Sequence, residues 1–374
     1  MTGEALAPEV LPDGIRSGFL DDVNGLRVHI LEAGDPGQPL VLLLHGFPEL
    51  AYSWRKIMLP LAEAGYHVVA PDQRGYGFTT GWTGSYHDDL APFRIFNLVR
   101  DAMGVVWGTG HTDVAAVFGH DFGSPVAAWC ALLRPDLFKR VAMMSAPIGQ
   151  GATVGKSPGM GGDIHADLAA LERPRKHYQW YYSTPEADAD MLHCPQGVHD
   201  FLRAYYHHKS ADWSENQPFK LGSWTAGELA RMPTYYIMDL GQNMAETVAP
   251  EMPSPEHVAA CTWLPDEELR IYSEAFGRTG FQAALNWYRC GTSGRYMPEM
   301  ELFAGRTIDV PSCFIAGASD WGVYQKPGDF ERMQDSFCTD MRSCHLIDGA
   351  GHWVQQEQPV ETARLLNQFL DETA

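Results

Sequence analysis

The sequence has few basic residues for its length. Its 374 residues include 27 lysines and arginines against 47 aspartates and glutamates, which gives a formal net charge of −20. Such an acidic surface repels phosphate backbones and anionic lipid headgroups. We therefore expect neither nucleic acid nor a membrane among the partners of this protein.

The sequence also lacks the features of exported and membrane-spanning proteins. No apolar run approaches the roughly 20 residues of a transmembrane helix, and the acidic segment 1–5 lacks the basic and then apolar order of a signal peptide. The seven cysteines form an odd number without a Cys-x-x-Cys pair, which indicates buried, reduced thiols. These absences predict a cytoplasmic protein.

Motifs that bind phosphate or metal ions are missing as well. Residues 151–157 (GATVGKS) resemble a phosphate-binding loop, but the first glycine stands one residue too close to the second. The pairs 193–194 (HC) and 207–208 (HH) are too sparse for a metal site and do not fit the His-Glu-x-x-His pattern. We expect no metal and no cofactor.

What the sequence does contain is a regular alternation of strand-like and helix-like segments. This rhythm is typical of βαβ units, so it predicts an α/β fold with a mostly parallel, doubly wound sheet covered on both faces. We predict strands at 26–32, 39–45, 67–71, 114–118, 140–144, 311–316 and 343–347, and helices at 53–64 (with Ser53 as the N-cap), 97–104, 123–134 and 358–370.

The rhythm stops after Pro147 and resumes at Val310. An inserted segment is tolerated where it enters and leaves through a loop. We therefore predict a core domain formed by residues 1–147 and 306–374, split by an inserted, mainly helical cap domain at 148–305. Within the insert, the proline-rich segment 244–255 is predicted to be a loop.

The segment Gly119-His120-Asp121-Phe122-Gly123 carries the main chemical signal. Its spacing is that of the Gly-x-Ser-x-Gly elbow, which exposes a nucleophile at a strand-to-helix turn, but an aspartate replaces the serine. Asp320 and His352 also follow strand-like runs, in the order nucleophile, acid, histidine. Because parallel strands end at one edge of the sheet, we expect the three side chains to meet there.

A carboxylate nucleophile restricts the reaction. It attacks esters poorly, but it can displace a leaving group from an sp³ carbon and form an alkyl ester of Asp121. Water activated by His352 would hydrolyse this ester, with Asp320 fixing the histidine tautomer. The backbone N–H groups of Phe47 and Phe122 would stabilise the oxyanion. The substrate would be an epoxide or an alkyl halide, and an esterase is disfavoured because the chain has no Gly-x-Ser-x-Gly.

The same stretches resemble a known family. The letters HGFPELAYSWRKIMLPLAEAGYHVVAPDQRGYG, GHDFG, GASDWGV and GAGHWVQQEQP are similar to those of the soluble epoxide hydrolases of the α/β hydrolase fold. The core resemblance covers most of residues 20–147 and 306–370 and is shared with haloalkane and fluoroacetate dehalogenases. In the insert, KHYQWYYSTPEAD and GFQAALNWYR resemble the segments that carry the ring-opening tyrosines, which fall on Tyr178 and Tyr288.

Some positions depart from the family pattern. Phe122 stands where the family usually has a tryptophan that holds a halide in dehalogenases, so halide release is disfavoured. The insert is longer than usual, because segment 217–263 has no counterpart; we expect it either to reshape the substrate pocket or to form a homodimer contact. The pocket itself is expected around Pro48 and three tryptophans, Trp180, Trp321 and Trp353.

These observations favour hydrolysis of a small apolar epoxide by water to a vicinal diol, with Tyr178 and Tyr288 protonating the epoxide oxygen. The alternatives are a haloalkane or haloacid dehalogenase that uses the same Asp–His–Asp triad, and a binding or regulatory protein on a hydrolase scaffold. The identity of the epoxide, the regio- and enantioselectivity, the oligomeric state and the biological pathway stay open.

Overall fold

The computed structural model describes residues 6–149 and 163–374. The phosphate-loop-like residues 151–157 lie outside this part of the chain. The described strands are β1 (Arg16–Val23), β2 (Leu26–Ala33), β3 (Leu40–Leu44), β4 (His67–Pro71), β5 (Ala116–His120), β6 (Val141–Met144), β7 (Arg175–His177), β8 (Ile237–Asp239), β9 (Ser312–Gly317) and β10 (Met341–Ile347).

Eight of these strands form one mostly parallel sheet in the order β1-β2-β4-β3-β5-β6-β9-β10. All pairs from β4 to β10 are parallel, and only β1 and β2 at one end pair antiparallel with their neighbours. Every residue of β3, β5 and β9 is buried, as expected for strands covered on both faces. The predicted sheet is confirmed, while β1, β7 and β8 were not anticipated.

The described α-helices lie between and after these strands. They are α1 (Arg55–Glu63), α2 (Ile95–Gly108), α3 (Gly123–Leu133), α4 (Ile164–Ala169), α5 (Tyr178–Tyr181), α6 (Ala187–Leu192), α7 (Gly197–Lys209), α8 (Ala226–Leu229), α9 (Met244–Val248), α10 (Pro255–Ala260), α11 (Asp266–Thr279), α12 (Gln282–Thr292), α13 (Met297–Glu301), α14 (Asp329–Arg332), α15 (Val354–Glu357) and α16 (Pro359–Glu372). Helix α1 packs on α16 and α2 packs on α3, so these four helices form two groups against the sheet.

Two local predictions are wrong. Ser53 does not cap α1, because it lies in a 3₁₀ turn and its hydroxyl pairs with the Tyr272 hydroxyl of α11 at 2.9 Å. The predicted loop at 244–255 contains α9, which begins with a capping box between Asn243 and Glu246. The prolines that suggested a loop stand after α9, in a 3₁₀ turn and at the start of α10, where proline is tolerated.

The segment between β6 and β9 carries α4 to α13 and the small antiparallel sheet of β7 and β8. None of the helices in the described parts of the chain has the length and apolar character needed to cross a bilayer. The seven cysteines are all unpaired; five are buried, whereas Cys261 and Cys344 are half-buried.

Candidate active site

The turn between β5 and α3 presents Asp121 at the carboxyl end of the sheet. Its φ angle of +51° lies in the left-handed region, which a non-glycine residue adopts only when the surrounding structure holds it there. The N–H of Asp121 donates to Met144 O of β6 at 3.2 Å. A Cβ atom on Gly123 would lie 2.1 Å from Leu44 O, so the start of α3 can approach β3 only with glycine there.

The carboxylate of Asp121 lies against the loop that follows β3. The N–H of Phe47 donates to Oδ1 of Asp121 at 2.8 Å. A Cβ on Gly46 would lie 2.3 Å from the same oxygen and 2.6 Å from Phe122 N. Both predicted oxyanion donors, on Phe47 and Phe122, are therefore next to Asp121.

His352 lies between the two aspartates. Its Nε2 is 3.2 Å from Oδ2 of Asp121, and its Nδ1 is 3.1 Å from Oδ1 of Asp320. Ser145, which the sequence analysis missed, donates to Oδ2 of Asp320 at 2.5 Å and lies 2.8 Å from Nδ1 of His352. The imidazole is thus held on one side by Asp320 and Ser145, with its other nitrogen facing Asp121.

A cavity of about 250 Å³ opens in front of Asp121. Tyr178 of α5 and Tyr288 of α12 both line it, and their ring centroids are 6.0 Å apart. The Tyr288 ring also packs edge-on against Phe122, with the centroids 5.2 Å apart. Most of the wall is apolar: it includes Phe93, Ile95, Leu98, Pro125, Trp129, Ile148 and Met300.

Comparison with known proteins identifies the fold family of the chain. Residues 39–359 match the α/β hydrolase fold family. Epoxide hydrolase A of Mycobacterium tuberculosis is 35% identical over 94% of this chain and 96% of its own length, and epoxide hydrolase B of the same organism is 33% identical over 92% and 96%. The crystal structure of epoxide hydrolase A from Mycobacterium thermoresistibile superposes with a TM-score of 0.75 at 34% identity, covering 96% of this chain and 99% of that one.

The chain belongs to the epoxide hydrolases of the α/β hydrolase fold. A second solved member, an epoxide hydrolase from an endophytic Streptomyces, is 32% identical over 96% of both chains with a TM-score of 0.75. These relatives match the insert as well as the core, because the similarity extends over nearly the whole chain. The resemblance read from the sequence is therefore confirmed at the level of family and fold.

The electrostatics of this hydrolase site keep its two aspartates ionised. Burial alone would raise the pKa of Asp121, but the hydrogen bond and charge of His352, helped by the charge of Lys209, lower the pKa of this carboxyl below its usual value. Burial likewise opposes ionisation of Asp320, yet the charge of His352 and the hydrogen bonds from His352 and Ser145 lower its pKa. Asp121 is thus a carboxylate at neutral pH, as a nucleophile requires.

The two tyrosines on the cavity wall stay protonated, in contrast to the two ionised aspartates. Burial, followed by the negative charge of Asp121, raises the pKa of both Tyr178 and Tyr288 well above 10. Their hydroxyls therefore stay protonated and able to donate. The Tyr178 hydroxyl donates to Gln325 Oε1 at 3.2 Å and accepts from Gln179 Nε2 at 3.1 Å, which fixes its position on the cavity wall.

Behind Asp121 lies a buried pair that the sequence analysis also missed. Oε2 of Glu49 is 2.6 Å from Nδ1 of His120, and Nε2 of His120 is 2.7 Å from the carbonyl oxygen of His352. Burial would lower the pKa of His120, but the charge of Glu49 raises it. The pair therefore supports the backbone of His352. In the sequence, the only signal for this pair was that Glu49 lies in the HGFPE motif and His120 in the GHD motif.

The four residues predicted to form the pocket do not line this cavity. Trp180, Trp321, Trp353 and Pro48 are absent from the cavity wall as far as the structure describes it. The Trp353 indole donates to Tyr206 O at 2.8 Å, Trp180 packs on histidines of the insert, and Trp321 packs on Phe219. Tryptophan is large enough to serve as packing between the insert and the core, so its presence in a motif did not indicate a ligand contact.

Segment 217–263 contacts the site indirectly. Among the described residues, none of this segment lines the cavity. Strand β8 pairs with β7, and Tyr236 just before β8 accepts the N–H of Tyr178 through its carbonyl oxygen at 2.9 Å. The segment therefore supports the helix that carries Tyr178.

Within the described residues, no group of three or more His, Cys, Asp or Glu side chains is arranged to hold a metal ion. The pair His207 and His208 lies at the end of α7, where the imidazole of His208 packs against the rings of Trp213 and Tyr235. Burial lowers the pKa of His208 to about 3, so this ring is neutral.

Proposed function

We propose that this protein hydrolyses a small, mainly apolar epoxide to a vicinal diol through a covalent ester on Asp121. The observation that carries the proposal is the shared cavity: an ionised Asp121 and two protonated tyrosines line one apolar space. A nucleophile and a proton donor on opposite sides of an epoxide are what ring opening requires.

In the first half of the reaction, Oδ2 or Oδ1 of Asp121 attacks one epoxide carbon. The carbon–oxygen bond of the ring breaks, and the epoxide oxygen takes up a proton as it leaves with Tyr178 and Tyr288 as donors. The product is a hydroxyalkyl ester of Asp121. Because the attacked carbon is sp³, this step needs no oxyanion hole.

In the second half, water attacks Cγ of Asp121 and gives a proton to Nε2 of His352. The oxyanion forms on the former carboxylate, where the N–H groups of Phe47 and Phe122 stabilise it. Asp320 and Ser145 hold the imidazole and stabilise its positive charge. The bond between Cγ and the alkyl oxygen then breaks, the proton passes from His352 to that oxygen, and the diol leaves. The second proton of the water, left on the carboxyl of Asp121, passes to the tyrosinate formed in the first half, so Asp121 is again a carboxylate and both tyrosines are again protonated.

The same triad could displace a halide, but the cavity supports this less well. A halide needs N–H donors, and the indole of Trp287 on the cavity wall already donates to Arg74 O at 3.0 Å. Phe122, beside the nucleophile, has no side-chain donor at all. The names of the relatives also point to epoxides.

We further propose that residues 148–305 act as a cap over a core formed by 1–147 and 306–374. Both tyrosines belong to this cap, whereas Asp121, Asp320 and His352 belong to the core. The substrate would thus be held between a domain that protonates it and a domain that attacks it.

Trapping of the ester tests the proposal. With His352→Gln, which removes the base, incubation with an aryl or alicyclic epoxide such as styrene oxide or cyclohexene oxide is expected to raise the protein mass by one epoxide. The matched control is the double variant Asp121→Asn with His352→Gln, which should gain no mass. Asp121→Asn alone should lose at least about 10³-fold in kcat.

Two results would contradict this function. Unchanged turnover of the Asp121→Asn variant would remove Asp121 from the mechanism. Halide release from bromoalkanes by the wild-type protein, with no diol formed from a panel of aryl and alicyclic epoxides, would assign the site to a dehalogenase. Chiral analysis of the diols from the same panel measures the regio- and enantioselectivity.

A further inference from the structure

Lys209 at the end of α7 is a buried cation that the reaction scheme does not use. Its side chain is 3% exposed. Its ammonium faces four aromatic rings at 5.1 to 5.8 Å from their centroids, those of Tyr205, Tyr235, Tyr236 and Trp353. Among the described residues, no carboxylate oxygen lies within 4.0 Å of the ammonium nitrogen, which is the distance limit for a salt bridge. Burial lowers the pKa of this ammonium, while the charges of Asp121, Asp320 and Glu49 oppose that shift. The ring faces of this cage stabilise the charged form further.

The cage lies directly behind the catalytic histidine. The carbonyl oxygen of Lys209 accepts the N–H of His352 at 2.9 Å, and the Trp353 ring beneath the ammonium is 4.6 Å from the His352 ring. The charged groups that act on the ammonium are the carboxylates of Asp121, Asp320 and Glu49, and the titratable groups around it are Tyr205, Tyr235, Tyr236 and His208. Its charge is therefore felt by both aspartates of the triad.

We propose that Lys209 is a positioning residue that acts on Asp121 through its charge and favours the second half of the reaction over the first. This inference rests on the proposed ester mechanism. It assigns to the end of α7 a control over how long the ester persists.

The two halves change the charge of Asp121 in opposite directions. When the carboxylate forms the alkyl ester, its negative charge moves to the epoxide oxygen, so a cation near Asp121 opposes this step. When water attacks the ester, the negative charge returns to the former carboxylate and stays there as the alkyl oxygen leaves with the proton from His352. A fixed cation stabilises that transition state more than the neutral ester.

The test compares Lys209→Met, which keeps the length of the side chain, with Lys209→Arg, which keeps its charge. Ester formation and breakdown are followed separately, by rapid-quench mass spectrometry of an excess of enzyme with styrene oxide. We expect hydrolysis by the methionine variant to slow by about tenfold or more, with alkylation unchanged or faster, so that the ester accumulates. The arginine variant should stay close to wild type.

A structural role predicts other results. Equal loss in both steps would overturn the inference, as would an arginine variant as slow as the methionine variant. If the methionine variant does not fold, as judged by its melting curve, Lys209→Gln takes its place in the same comparison. If His352→Gln never forms an ester, the proposed function fails instead, which separates the two outcomes.

Discussion

At the scale of single residues, the site depends on how closely the backbone approaches Asp121. The side chain takes its N–H donor from Phe47, and the glycine before that residue leaves no gap that a methyl group could fill. The turn residue itself has a left-handed backbone. The position of Asp121 thus depends on the small size of Gly46 as much as on the N–H group of Phe47.

Gly46→Ala tests this packing. The new Cβ would stand 2.3 Å from Oδ1 of Asp121, so either the loop or the carboxylate must move. A displacement near 1 Å at a reacting group costs about 10²-fold in rate, and we expect a loss of that size in kcat for epoxide hydrolysis.

The matched control is Gly277→Ala, at an exposed position in α11 where no atom lies within 4 Å of the added methyl group. It should leave activity unchanged and raise the free energy of unfolding by about 0.5–1 kcal/mol, because alanine is the better helix former. Equal activity of both variants would show that the Gly46 loop adapts without consequence.

At the scale of elements, the loop that carries His352 is fixed by α15 and by the insert together. The carboxylate of Glu357 in α15 accepts the N–H groups of Gly351 and Trp353 on either side of His352, at 2.9 Å each, and that of Ala211 beyond α7 at 2.8 Å. One side chain therefore joins the catalytic loop to the end of α7.

Glu357→Gln is expected to weaken this junction. A glutamine amide offers one acceptor oxygen, and its NH₂ group would face backbone N–H donors that are left without a partner. The free energy of unfolding should fall by about 1–3 kcal/mol, and kcat should fall as His352 loses its fixed position. Urea unfolding and steady-state assays measure the two effects.

Glu361→Gln is the control for this prediction, because it makes the same carboxyl-to-amide change in α16, where Glu361 pairs with Arg364 at the surface. It should change neither stability nor activity measurably. A Glu357→Gln variant that behaves like the control would mean that the three N–H bonds do not hold the loop.

At the scale of the whole molecule, the insert and the core are bonded together around the site. Arg55 of α1 pairs with Glu268 of α11, the Tyr206 hydroxyl donates to Pro48 O at 3.1 Å, and the Arg278 guanidinium donates to Gly77 O at 2.7 Å. These contacts keep Tyr178 and Tyr288 of the insert near Asp121 of the core.

The stability of the whole molecule toward acid depends in part on the buried carboxylate of Asp72. Its carboxylate, at the end of β4, accepts the N–H groups of Ala51 and Phe78 and pairs with His29 at 2.8 Å. Burial opposes ionisation, but the charge and hydrogen bond of His29 lower the pKa of Asp72 to about 2. Because the folded pKa is below the unfolded one, its stabilisation is complete above about pH 4 and is lost as the pH falls toward 2.

Asp72→Asn should therefore lower the free energy of unfolding by about 2 kcal/mol at pH 7 through this ionisation alone. The difference from wild type should shrink as the pH falls from 5 to 2. Urea unfolding at a series of pH values checks this, and a difference that does not change with pH would contradict it.

The sequence by itself determined the parts of the protein that have local patterns. Apolar runs of strand length predicted the parallel strands, since such runs are stable only between two covering layers. The elbow spacing predicted where a nucleophile would stand, and the order of Asp121, Asp320 and His352 predicted that they would meet. Motif similarity predicted the family.

Only the tertiary structure decided which residues surround the reaction. The cavity wall is assembled from segments far apart in the sequence, so the tryptophans expected there could lie elsewhere. Ser145, Glu357 and Lys209 all contact His352 or its neighbour in the chain. No local sequence pattern marks such contacts. The physical reason is that hydrophobic periodicity is a property of residues close together in the sequence. The burial of a charge, in contrast, depends on all the segments that pack around it.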